Sequence, residues 1–150
     1  MDFSFGINNF DKYWESTKEA VSQYLSDCLN EELALTCAQK LWHMCDWYYK
    51  ENEASLGLSQ CSDLQGSFGA ECNSLRVMRD VCNGAKHAGL EKTRTPIIRR
   101  AIAHKGAFSS GFSRGFDVSV LEIELVDGTK VYFDDAAKEV LDFWVAKVEP

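Results

Sequence analysis

The chain has 150 residues, 45% of them hydrophobic and 12% aromatic, with a formal net charge of −7. That length suits one domain able to bury a core without staples, and the composition excludes disordered and fibrous classes. No apolar run approaches the roughly 20 residues needed to cross a bilayer, and MDFSFGINNF at the start has neither the basic nor the apolar region of a secretory signal, so a cytoplasmic chain without membrane association is expected.

Asn8 or Asn9 is placed to cap a first helix running to about residue 29. Its Phe10, Tyr13, Trp14, Val21, Tyr24, Leu25 and Cys28 recur at amphipathic spacing. Asn30 opens a second helix to about residue 53, with Glu31 and Glu32 against its N-terminal dipole. On the helical wheel Glu32, Thr36, Gln39, Lys40, Asp46 and Lys50 lie within about 60° of His43, and apolar residues fill the remainder. The pattern predicts the central helix of a bundle with one narrow polar seam. Gly57 breaks it. A shorter third helix is expected over 62–72, weakened by Gly66 and Gly69. Asn73 or Ser74 caps a fourth helix that ends near Gly89. Four helices with short connections predict an antiparallel four-helix bundle over residues 1–90.

Beyond residue 91 the character changes. Thr95-Pro96 resembles a helix start, but the following segment is β in pattern and a lone hairpin is marginal, so a strand over 97–104 is expected. GAFSSGFSRGF, residues 106–116, places Phe108, Phe112 and Phe116 beside Arg114. That composition suits stacking on bases and equally suits a surface loop pinned by phenylalanines. It lacks GK[ST] and is not a phosphate loop. A hairpin turns at Asp127-Gly128. Only a three-residue loop, Val126-Asp127-Gly128 with Gly128 left-handed, keeps the faces consistent, pairing Ile123 with Val131, Leu121 with Phe133 and Glu124 with Lys130. Asp134 caps a last helix with a buried stripe of Ala137, Val140, Leu141, Trp144 and Val148. The fold class is α+β: the bundle, then a small antiparallel β-sheet and a C-terminal helix over 91–150, in one domain.

Six cysteines lie in or beside helical patterns, mostly on apolar faces, with no CxxC pair and no zinc-site spacing; they read as buried free thiols. The charge is segregated. Residues 76–116 hold nine basic and two acidic residues, a local +7, and the rest of the chain holds seven basic and 21 acidic, or −14. Such a segment attracts RNA or another anionic partner, or else neutralises acidic helices of its own fold or of a second subunit. Lys86, Lys92, Arg94, Arg99, Arg100 and Arg114 are its candidate nucleic-acid contacts.

The fourth helix carries the chemically useful side chains. With Arg79 at zero on the wheel, Arg76, Asn83, Lys86 and His87 fall within about 80° and Asp80 at about 100°, opposite a stripe of Leu75, Met78, Val81, Cys82 and Ala85. His87 therefore faces water, a cleft or another subunit, and Cys82 is on the wrong face to be activated by it. A helical bundle with Arg79-Asp80 followed by VCNGAK and His87 resembles the HEPN superfamily of small, often dimeric α-helical domains, many of them metal-independent ribonucleases. Their motif is Arg, a polar residue, three to five residues and His; here six residues intervene. The resemblance covers about residues 10–90. It implies a homodimer, with Arg79 on the scissile phosphate, His87 as general acid/base and Asn83 orienting one of them. No cofactor is implied. The rival site is a metal held by His43 and Asp46 with His87, although the Glu-x-x-His pairs of di-iron bundles are absent. The expected function is a HEPN-like, non-catalytic binding or regulatory module. The alternatives are a metal-independent ribonuclease using His87 and Arg79, or a structural protein with no nucleic-acid role.

Overall fold

The computed structural model of the chain describes residues 5–90, 95–105 and 119–150. It is α+β: helices α1 (Phe10–Leu25), α2 (Glu31–Leu56), α3 (Cys61–Glu71) and α4 (Asn73–His87), strands β1 (Ile98–Lys105), β2 (Ser119–Leu125) and β3 (Lys130–Tyr132), then helix α5 (Phe133–Val148). No described helix is long and apolar enough to cross a membrane.

The first two caps form where side-chain chemistry places them. Asn9 accepts the Lys12 N–H at 2.9 Å and Asn30 accepts the Leu33 N–H at 3.1 Å, each satisfying an otherwise orphaned donor. α1 stops four residues short of the expected end. There Ser26 Oγ donates to the Gln23 carbonyl at 2.7 Å, a local bond that competes with helix continuation. α2 runs three residues past its expected end because nothing breaks it before Gly57, which takes the left-handed cap at φ 66°. α3 and α4 lack side-chain caps. The residue ahead of α4 is Cys72 rather than Asn73 or Ser74, and Asn73 instead receives Arg76 Nη1 at 3.4 Å.

α2 packs against all four other helices. Its Ala34, Cys37, Ala38, Leu41, Met44 and Cys45 are buried, while Glu32, Thr36, Gln39, His43, Asp46 and Lys50 are exposed, so the narrow polar seam is present. α5 belongs to the same core, touching α1, α2, α4, β2 and β3. Its Trp144, fully buried, donates from Nε1 to the Leu41 carbonyl at 3.0 Å, across 103 residues of sequence.

The sheet is antiparallel with order β1-β2-β3, and the third strand expected from the marginality of a lone hairpin is β1. The hairpin has the three-residue loop. Leu125 N–H donates to the Thr129 carbonyl at 2.8 Å, Gly128 has φ 89°, and Ile123 pairs with Val131 and Glu124 with Lys130. At its tip Asp127 accepts the Thr129 N–H at 2.8 Å, which holds its carboxyl below the usual range. Two expectations at the far end are corrected. Leu121 does not pair with Phe133, because pairing stops at Glu122 with Tyr132, and Asp134 does not cap α5, because the helix begins at Phe133, two residues earlier than such a cap would start it, with Tyr132 in the cap position. Phe133 is worth more in the core, edge-on to Tyr24 at 5.1 Å, than on a strand.

Candidate anion-binding site

α4 carries the site because its two faces do different work. Leu75, Val77, Met78 and Cys82 are buried, which turns Arg76, Arg79 and Asn83 towards a cleft of about 840 Å³. Trp42 of α2, the start of α3 at Gln60, Ser62, Asp63 and Gln65, and the approach to β1 at Thr95 and Ile97 supply the other walls. Arg76 and Arg79 are one turn apart, so their guanidiniums share one face of the helix.

Asp80 departs from the helical-wheel expectation. It is 1% exposed rather than part of the polar face. Its Oδ2 accepts the backbone N–H groups of Ile97 (2.6 Å) and Ile98 (3.0 Å), and its Oδ1 accepts Arg79 Nε at 2.8 Å. Nη2 of Arg79 lies 2.8 Å from the same Oδ1 and donates to the Thr95 carbonyl at 3.1 Å. One buried carboxylate therefore docks the start of β1 on α4 and fixes the Arg79 guanidinium, whose Nη1 edge keeps two donors outside these contacts. A buried charge is tolerable on these terms because it is both paired and hydrogen-bonded.

Arg76 is positioned by a glycine. A Cβ at Gly69 of α3 would sit 3.1 Å from Arg76 Nε and 3.2 Å from its Cγ, so the side chain lies along the bare backbone there. Gly69, which reads as a weak point of α3 by propensity, leaves room for a charged side chain of the site.

The other sequence candidates separate. Lys86 and Asn83 line a second groove of about 470 Å³ between α2 and α4, with Gln39, Trp42, His43 and Asp46. His87 is exposed in the last turn of α4, just before left-handed Ala88 (φ 55°), and is not among the described residues lining either cavity. His43 and Asp46 thus come together without His87, and among the described residues no group of three His, Cys, Asp or Glu side chains is placed to hold a metal ion. Arg99 and Arg100 both reach Glu124 of β2, at 3.5 and 2.7 Å, which the β-bulge between Ile98 and Arg100 permits for adjacent residues. Lys92, Arg94 and Arg114 lie outside the described residues, as do Phe108, Phe112 and Phe116.

The thiols are free. Burial pushes those of Cys37 and Cys82 up to about 12, so neither is a thiolate nucleophile near neutral pH. A second buried polar pair also escaped the periodicity: His104, 5% exposed, has Nε2 3.5 Å from Glu122 Oε2, and Lys130 Nζ is 3.7 Å from Oε1 of the same carboxylate.

No family model matches the chain, and neither a curated protein nor a solved structure matches it.

Proposed function

We propose that the protein is a HEPN-like module, with α1–α4 as its helical bundle, that binds RNA phosphate in the α4 cleft without cutting it. One observation carries this reading. Arg76 and Arg79 line one cleft, Arg79 held by Asp80 and the Thr95 carbonyl and Arg76 lying against Gly69 of α3, whereas His87 lies outside the lining of that cleft. Two guanidiniums with amide donors from Asn83, Gln60 and Gln65 match the donor-rich, fork-shaped chemistry that phosphate oxygens require. Metal-independent cleavage also needs a proton-transfer group within reach of the reacting oxygens. A ribonuclease of the resembled kind would have to bring His87 to that phosphate from a second copy of the chain.

The test is fluorescence anisotropy with a labelled single-stranded RNA, for the wild type and for Arg76→Ala, alongside incubation of the same RNA with chelator present. Binding that weakens about tenfold in Arg76→Ala, with the RNA left intact, is expected. RNA cleavage that disappears in His87→Ala would replace this reading by the ribonuclease. Absence of binding would leave the structural alternative.

A further inference from the structure

The two cavities on α4 are not separate sites. Trp42 and Asn83 line both of them. The larger holds Arg76 and Arg79, and the smaller holds Lys86. The result is a single track along α4, with cations at either end and a half-buried indole with an amide between them. Each half also carries a carboxylate, and both are engaged: Asp63 accepts Ser59 Oγ at 3.2 Å and Asp46 accepts the Cys61 thiol at 3.4 Å. Three cations on the track face these two carboxylates and the Asp80 carboxylate that pairs Arg79, so what the track offers a polyanion is donors rather than net charge: the Nη1 edge of Arg79, Arg76 and Lys86.

Spacing then fixes the size of the occupant. Arg79 and Lys86 are seven residues apart on one helix, about 10 Å along its axis at 1.5 Å per residue. Stacked nucleotides advance about 3.4 Å each along a strand, and a strand with one base turned onto a side chain advances further, so the two cationic ends are at most about three nucleotides apart. Trp42 lies between them and offers a flat apolar face of the kind on which an unpaired base stacks. A paired base has no such face to give, and Asn83 is placed to bond a base edge beside the indole.

Resting on the RNA-binding reading above, we infer that the ligand is a single-stranded segment of about three nucleotides, laid along α4 with a central base on Trp42 and phosphates at Arg76/Arg79 and at Lys86. Selection of single strands over duplex comes from the indole rather than from the cations.

The experiment is anisotropy competition on the full chain with a nucleoside monophosphate, a trinucleotide, a hexanucleotide and an RNA duplex, repeated for Trp42 and Lys86 variants. Affinity should rise at least tenfold from the monophosphate to the trinucleotide and then change little per site. Trp42→Leu, which keeps apolar packing but removes the π-face, should lose about 5- to 150-fold, the range one base–aromatic stack covers. Trp42→Phe should recover most of it. Lys86→Ala should lower the dependence of log affinity on log salt by about 0.7, one phosphate's share. Urea midpoints of all variants separate loss of binding from loss of fold. The inference is overturned if Trp42→Leu binds the hexanucleotide like the wild type, if duplex competes equally, or if the monophosphate binds as tightly as the trinucleotide. RNA binding that depends on Arg76 but not on Trp42 refutes the track alone, whereas no binding to any of the four refutes the underlying function.

Discussion

Replacing Asp80 by Asn removes a single charge, yet the structure makes it a severe change. Both carboxylate oxygens act only as acceptors, and from different donors: Oδ1 from the Arg79 guanidinium, Oδ2 from the Ile97 and Ile98 N–H groups. An amide has one acceptor oxygen, so its NH₂ must point at donors whichever way it turns. Either Arg79 loses its partner or two backbone N–H groups lose theirs, one of them buried. A hydrogen bond to a charged group is worth about 1.5–3 kcal/mol, and breaking one side of a buried ion pair costs about 3–5 kcal/mol. The Arg79 side chain is 18% exposed, so water relieves part of its loss. The expected cost is therefore about 2–4 kcal/mol for Asp80→Asn, with Asp80→Ala no worse than about 1 kcal/mol beyond it. The assay is urea unfolding with an unchanged m-value, so that the midpoint reports stability alone. Hydrogen exchange at Ile97 and Ile98 should quicken in the same variants, because the carboxylate is their acceptor. If Asp80→Asn costs less than about 1 kcal/mol, Asp80 is not the clamp described above.

Three further outcomes follow from single contacts. Gly69→Ala adds a methyl against Arg76 while raising helix propensity by up to about 1 kcal/mol, so stability should hold or rise while RNA affinity falls several-fold; unchanged affinity in the anisotropy assay would contradict the placement of Arg76. Trp144→Phe removes the bond to the Leu41 carbonyl and leaves a void at a fully buried position, at an expected cost of about 2–4 kcal/mol by urea unfolding; less than about 1 kcal/mol would deny α5 its place in the core. The buried Cys37 and Cys82 thiols are raised to about 12 in the folded chain, against about 8.5 unfolded. The unfolded state loses these protons first, so stability falls as pH rises from about 8.5 towards 12, by about 1.4 kcal/mol per pH unit per thiol. Cys82→Ala should flatten unfolding free energy measured between pH 8.5 and 10 by one such slope, and an unchanged slope would place that thiol in water.

What local rules dictate was legible. The polar seam of α2, the Asn9 and Asn30 caps and the hairpin register each follow from residues within one or two turns of each other, where periodicity and cap chemistry are decisive. The register is the sharpest case, because a two-residue loop would have put Leu125 opposite Lys130 and mixed the faces. The errors at the element ends have different causes. Phe133 joins α5 rather than β3 because a tertiary partner, Tyr24, outweighs local preference, whereas Asn73 binds Arg76 one turn on in α4, a local contact that replaces the cap. Adjacent Arg99 and Arg100 counted as two free cations in the sequence, and only a bulge brings both to Glu124.

The candidate site was half legible for the same reason. Arg79 and Asn83 stand out at helical spacing, and so does His87, because the wheel reports which face a residue shares and not what covers that face. Arg79-Asp80 reads as one polar pair of a ribonuclease motif. In the fold the two residues act at right angles to that reading: Asp80 turns inward and anchors the backbone seventeen residues later, and Arg79 follows its carboxylate to the rim of the cleft. Ile97 and Thr95, which form the opposite wall, are held by that same pair, and the Ile97 carbonyl in turn accepts the Val126 N–H at 2.8 Å. The width of the cleft is thus set by the joint between α4 and the sheet. Loosening that joint moves a wall and a guanidinium together, so at this position stability and binding cannot be varied independently. Variants of Arg76, Gly69 and Trp42 do not touch the joint, and those are the positions at which affinity tests the site rather than the fold.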